Sequence, residues 1–236
     1  MSREQLQSSS LATDPDLGRP QPTRILMIAP TPYFADRGCH VRIFEEARAL
    51  QDLGYEVEIC TYHLGDDRPG VTTHRIARLP WYNKITAGFA WQKFYIDALL
   101  LLKTWSVARR FRPHLLHGHL HEGAAIGWVV GRLLGIPVVG DFQGSLSGEL
   151  HAHRSIPSRG WLYGFVAHNE GWIDRLPDVA VASCDDVAQE LSQRFGVPDV
   201  VLALDGVDTE VFHPDLEVGD LRALVPPGRR PVVYLG

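Results

Sequence analysis

No stretch of this chain is apolar for the length that a membrane crossing demands. The most apolar window, Phe89 to Val107, is broken by Gln92, Lys93, Asp97 and Lys103, whereas a spanning helix needs roughly 20 predominantly apolar residues in a row. A basic excess is also missing. Lys and Arg number 23 against 28 Asp and Glu, a net charge of -5, which argues against a nucleic-acid-binding surface. Cysteine is scarce: Cys39, Cys60 and Cys184 have no paired spacing. That excludes a disulfide framework or zinc knuckle and fits thiols in a reducing compartment, with the cytosol as the default. The phosphate-binding fingerprints GxGxxG and GxxxxGK[ST] are absent, so dinucleotide-binding and P-loop readings lose most of their weight. There is no internal repeat. Residues 1–22, rich in Ser, Gln, Asp and Pro, lack the apolar region of a signal peptide or anchor and read as a disordered leader.

What is present suits a soluble globular protein: 236 residues, 45% hydrophobic and 22% charged, enough to bury one sizeable core. Arg24 to Ala29 is a short apolar run without helical period, stopped by Pro30 and Pro32, and reads as a buried strand. Gly38 to Leu53 carries apolar residues at close to helical spacing and ends at Gly54. Strands are expected at Tyr55 to Thr61, Thr72 to Arg78, His114 to His117, Pro137 to Asp141, Asp178 to Ser183 and Asp199 to Leu204. Helices are expected at Ala87 to Phe111, Glu122 to Leu134, Ser158 to Leu176 and Asp185 to Phe195. This alternation predicts an α/β fold, a Rossmann-like parallel sheet with helices on both faces, whose ligands sit beyond the carboxyl ends of the strands. The predicted domain spans residues 23–214. Residues 215–230, with Pro226, Pro227 and Gly228, read as an interdomain linker, and 231–236 as the first strand of a second, truncated domain.

Three loops at the carboxyl ends could carry chemistry. After the first strand, Gly38 at the mouth of a helix, followed by Cys39, offers backbone N–H groups and a positive helix end to a diphosphate; an ordinary helix start is the competing reading. His117, His119 and His121 would share one face if their strand continued. A helix starting near Glu122 takes His121 off that line, and no Asp, Glu or Cys neighbour completes a metal site, so none is expected and contacts to a polar ligand are favoured. Asp141 and Gln143 can accept hydrogen bonds from hydroxyls, while Gly144 and Ser145 precede a helix start with accessible amides, an arrangement suited to polyol recognition. Aromatic and basic residues between Trp81 and Arg112 could dock a helix on an anionic membrane surface, although a core-packed helix with a solvated basic end is the commoner arrangement.

In this order the motifs resemble the amino-terminal lobe of a family 4 glycosyltransferase of GT-B fold. The first strand and glycine loop match at Ile25 to Gly38, the LxxxGxEV turn at Leu50 to Val57, the HxH at His117 and His119, and VVxxxHG at Val138, Val139 and Gly144. Asp178 and Ser183 match the family's strand-flanking pair. Gly206, Val207, Asp208, Phe212 and Pro214 match GVDxxxFxP. Three positions depart: Cys39 stands for the second glycine of the diphosphate loop, Gln143 for the histidine of the HG loop, and Asp205 for the Asn before GVD.

The resemblance implies transfer of a sugar from a nucleotide-sugar donor to a hydroxyl acceptor, a glycan, glycolipid or polyol, with retention and no cofactor or metal. Asp141 and Gln143 are the candidate catalytic residues, Gly38 and Cys39 the diphosphate contacts, and His117, His119, Gly144 and Ser145 the acceptor contacts. Gln143 cannot accept a proton near neutral pH, leaving Asp141 or a donor phosphate oxygen to do so. Most nucleotide contacts are expected in a carboxyl-terminal lobe, so the fragment alone is expected to be inactive. The expected setting is cytoplasmic, with peripheral contact at the inner membrane face. A non-catalytic sugar-phosphate or partner-binding module and a metal-dependent hydrolase are the alternatives.

Overall fold

A computed structural model describes residues 22–35, 37–80, 92–148, 160–206, 208–209, 213, 215 and 229. Seven strands, β1 (Arg24–Ala29), β2 (Glu56–Thr61), β3 (Thr72–Arg75), β4 (Leu115–His119), β5 (Val138–Phe142), β6 (Val179–Ala182) and β7 (Val200–Leu202), form one sheet in the order β3-β2-β1-β4-β5-β6-β7. Every pairing is parallel. Between the strands lie α1 (Gly38–Asp52), α2 (Gln92–Phe111), α3 (Leu120–Leu134), α4 (Trp161–Ile173) and α5 (Asp185–Gln189), the last continuing as a π-helical turn over Glu190–Arg194. The leader apart from Pro22, the linker apart from Asp215 and Arg229, the terminal strand at 231–236, and the start of the predicted helix at 87–91 lie outside the described residues.

From Ile25 to Ala29 the strand is apolar throughout because both of its faces are covered. Leu26 and Ile28 pack with Ile96, Leu100, Leu116, Ile126 and Val130, a cluster drawn from α2, α3 and β4. Ile25, Met27 and Ala29 face the other way, onto Ile43 and Ala47 of α1 and Val57 and Ile59 of β2. A strand buried on both sides has no position for polar alternation, as parallel sheets require. A third cluster, Phe142, Ala180, Ala182, Leu191 and Phe195, closes the β5–β6 end.

At the junction of β4 and α3 the structure departs from the sequence expectation. The strand extends to His119 rather than ending at His117, and the helix starts at Leu120, two residues before Glu122. No loop intervenes. Leu120 takes a positive φ of 60° to make the turn, a conformation uncommon outside glycine. Glycine is needed nearby for a different reason: a Cβ on Gly118 would stand 2.4 Å from the Gly123 carbonyl oxygen. The backbone of α3 thus rests directly on β4, and this close approach decides where the three histidines point.

Candidate acceptor and diphosphate site

Because β1, β4 and β5 are adjacent and parallel, their carboxyl ends share one edge. Register pairs Ile28 with Gly118 and His119 with Asp141. The expected convergence of the turns after these three strands therefore holds. The concavities lined by Pro22, Gln51 and Tyr55 and by Trp128, Arg132 and Pro137 lie at the opposite, amino edge, where the strands begin.

Asp141, fully buried at the end of β5, is the centre of the array. Arg42 of α1 donates to it through Nη2 to Oδ1 at 2.8 Å and through Nε to Oδ2 at 3.1 Å. Gln143 donates from Nε2 to Oδ2 at 2.8 Å, and His119 donates from Nδ1 to the same oxygen at 3.0 Å. Burial by itself would push this carboxyl up, but the His119 bond and charge and the Arg42 fork outweigh it and hold Asp141 well below the usual carboxylate range. The group is a fixed anion at the head of the sheet.

Arg42 gathers two further segments. Nη1 donates to the Ala203 carbonyl at 3.0 Å and to Asp205 Oδ1 at 2.6 Å, just beyond β7, and Nη2 lies 2.8 Å from Glu46 Oε1 one turn along α1. Asp205, the departure from Asn before GVD, thereby gains a charge-assisted bond that a neutral Asn would make more weakly. Arg42 and Glu46 were not singled out in the sequence. Both fall on the amphipathic helix among ordinary surface charges, and only the cluster that α1 packs against reveals them. Their i,i+4 spacing was the single available signal.

His117 and His119 stack with ring centroids 4.4 Å apart, as alternation along one strand face predicts. Burial above all, with His119 beside it, brings the His117 imidazole down to about 3, so it is neutral. Glu46 Oε2 lies 3.9 Å from both His117 Nε2 and His119 Nδ1. The expectation that no carboxylate neighbours the histidines is corrected here. Sequence distance hid Glu46 and Asp141, which the parallel packing of α1, β4 and β5 brings alongside. His121 does leave the line: in the first turn of α3 it points to α4, 3.4 Å from Asp174 Oδ1 and 3.7 Å from Glu170 Oε1.

Ser145 belongs to a second grouping. Glu170 of α4, with 1% exposure, accepts hydrogen bonds from Ser145 Oγ at 2.8 Å, the Leu146 amide at 2.6 Å and the Ser147 amide at 3.1 Å. It caps the helical turn that follows Gly144, satisfying N–H groups that a helix start leaves open. This clamp fixes the loop that carries Gln143 and Gly144. No local pattern around Glu170 points to it.

Gly38 and Cys39 open α1, one turn before Arg42. Arg37, the N-cap, makes no side-chain cap, and the first turn holds no acidic residue. A Cβ at Gly38 would meet nothing within 4 Å, so space lies open beside its amide. The preceding loop is pinned from within: His40 bonds Thr31 Oγ1 and, through Nδ1, the Ala35 backbone at 2.9 Å. No cysteine is in a disulfide.

A parallel α/β sheet with its polar array at the carboxyl edge defines a Rossmann-like domain of the type that glycosyltransferases of GT-B fold contain. The chain belongs to the glycosyl transferase 4-like domain family, whose profile matches residues 37–204. A D-inositol 3-phosphate glycosyltransferase from Thermobispora bispora is 25% identical over 218 residues, covering 84% of this chain and 48% of that protein. The chain thus spans about half the length of the curated relative it matches. Among solved structures, a sucrose-phosphate synthase from Thermosynechococcus elongatus superposes with a TM-score of 0.66 at 16% identity, covering 86% of this chain and 53% of the other. Anabaena HepE, solved with UDP and glucose, gives 0.58 at 12% identity, covering 81% and 47%. At these identities the superpositions show the shared fold alone. Among the described residues no helix is long and apolar enough to cross a membrane.

Proposed function

We propose that this chain forms the acceptor side of a retaining glycosyltransferase that moves a sugar from a nucleotide diphosphate donor to a hydroxyl of a phosphorylated polyol. The observation that carries the reading is the buried Arg42, Asp141, His119 and Gln143 array at the carboxyl edge, within a chain matched by the family profile over residues 37–204. Such a reaction builds positive charge on the sugar ring and negative charge on the leaving diphosphate. Donors set in place beforehand stabilise that negative charge without reorganising. The uncapped start of α1 at Gly38 and Cys39 is suited to the diphosphate, since its amides and helix dipole favour an anion.

Asp141 is better suited to organising this rim than to accepting a proton. A carboxylate with no exposure, already bonded by Arg42, His119 and Gln143, is a weak base. The acceptor proton passes instead to a phosphate oxygen of the leaving diphosphate, while Gln143 and Ser145 orient acceptor hydroxyls. A phosphorylated polyol is the acceptor class because the T. bispora relative is a D-inositol 3-phosphate glycosyltransferase. A second lobe supplies most nucleotide contacts, so this domain binds acceptor without turning over by itself.

The test is calorimetric titration of the chain with D-inositol 3-phosphate and, separately, with UDP, followed by mass-spectrometric assay of transfer from a panel of nucleotide sugars. Saturable acceptor binding weakened at least tenfold by Gln143→Ala supports the reading. Neither ligand binding, or transfer by the chain alone, would overturn the assignment of roles.

A further inference from the structure

We infer that Glu46, His117, His119 and Asp141 form a binding site for a zinc-type divalent cation at the head of the sheet. One ligand atom from each of the four residues lies within 4.8 Å of the other three. The arrangement leaves Glu46 Oε2 and His117 Nε2 buried with no hydrogen-bond partner, 3.9 Å apart. That is too far for a hydrogen bond between them, while buried polar atoms are rarely left without a partner.

The distances suit a small ion. Zinc bonds of about 2.0 to 2.2 Å place tetrahedral ligand atoms about 3.3 to 3.6 Å apart. Here His119 Nδ1 is 3.0 Å from Asp141 Oδ2 and 3.9 Å from Glu46 Oε2. Glu46 reaches the ion by an inward shift of about half an ångström, which its partly exposed side chain on α1 allows. His119 exchanges its bond to Asp141 for the metal, its proton passing from Nδ1 to Nε2.

Charge and ligand chemistry agree. Arg42 contacts three carboxylates, those of Glu46, Asp141 and Asp205. Metal-bound imidazoles are neutral ligands, so in the loaded site these three carboxylates and the one guanidinium would leave two negative charges for the dication to balance. Arg42 Nη2 holds Glu46 Oε1 and Asp141 Oδ1, while Glu46 Oε2 and Asp141 Oδ2, the latter also held by Arg42 Nε and Gln143 Nε2, face the histidines. Two imidazoles with two carboxylates select zinc or a similar transition metal over magnesium or calcium, which take oxygen shells. The ion would cross-link α1, β4 and β5 beneath the diphosphate loop and takes no part in the sugar chemistry.

The chain, produced without a histidine tag in zinc-supplemented medium and desalted, is analysed by elemental mass spectrometry, and apo protein is titrated with Co2+ and Zn2+. About one zinc per chain, visible cobalt bands of tetrahedral type and a raised melting temperature are expected. Glu46→Gln and His117→Ala should each lower retained metal at least tenfold, whereas His168→Ala, an exposed position on α4, should not. If those variants fail to fold, the titration of the wild-type chain decides. Less than a tenth of an equivalent, with no response of the melting temperature to zinc or chelator, would show that a shared proton rather than a metal occupies the cluster. Metal retained in both ligand variants would place it elsewhere and equally overturn the site. No sugar substrate enters these measurements, so their failure leaves the transferase reading standing, and the reverse.

Discussion

Arg42 and Asp141, 99 residues apart in the chain, form a buried two-pronged ion pair at 2.8 and 3.1 Å that fastens α1 to the end of β5. Since Arg42 also holds Ala203 and Asp205, one guanidinium joins the first helix to the end of the last strand.

Removing Arg42 leaves the buried Asp141 carboxylate without its guanidinium counter-charge, with only the Gln143 and His119 bonds remaining. Arg42→Ala should therefore lower unfolding free energy by about 3 to 5 kcal/mol, read from urea denaturation. The double variant Arg42→Met with Asp141→Asn should lose clearly less than the two single changes added together. Strict additivity would mean that the two groups do not interact in solution.

Glu170 makes a separate prediction for the loop. Glu170→Ala should open the turn at 145–148, raising amide exchange at Leu146 and Ser147 well above wild type, and Glu170→Gln should restore part of the protection because its carbonyl oxygen still accepts one bond. Unchanged exchange in Glu170→Ala would remove the clamp from the account of the loop.

The carboxyl of Asp174, buried and then raised further by the charge of Glu170, is pushed up to about 8. Glu190, Arg175 and Arg194 also act on it, and His121 faces it from α3. The folded chain therefore holds this proton between about pH 4 and pH 8, where the unfolded chain has released it, and stability from this group falls as pH rises through that window. Asp174→Asn cannot ionise. Its urea midpoint relative to wild type should rise from pH 5 to about pH 8 and level off above it; a constant difference would refute the assignment.

At the β4–α3 contact, Gly118→Ala places a methyl 2.4 Å from a backbone oxygen that no side-chain rotation can move. A loss of about 1 to 3 kcal/mol or more is expected, seen as a lower melting temperature, while Gly164→Ala, which meets nothing within 4 Å, should be neutral or stabilising in its helix. Equal melting temperatures for the two variants would contradict the close packing of α3 on β4.

Much of the sheet was legible because burial on both faces leaves a plain mark. RILMIA was placed residue for residue, and α1 within one residue at its end, since an apolar run closed by proline and an amphipathic period closed by glycine have few other solutions. Where the chain turns without a loop, the marks fail. His119 lies in β4, and α3 starts at Leu120, because a positive φ at a leucine and a glycine-to-glycine contact are properties of packing.

The same division runs through the site. The sequence by itself determined the parallel fold, the carboxyl edge as the place for ligands, and His117, His119, Asp141 and Gln143 as residues reaching it. Those features follow from strand periodicity and from where each strand stops. Only the tertiary structure decided that Asp141 is a sealed anion, that Arg42 and Glu46 join it, that Glu170 grips the 145–148 turn, and that His121 faces α4. Each of those facts depends on how far one helix sits from a strand distant in sequence, a distance set by side-chain volume across the interface and written in no local pattern.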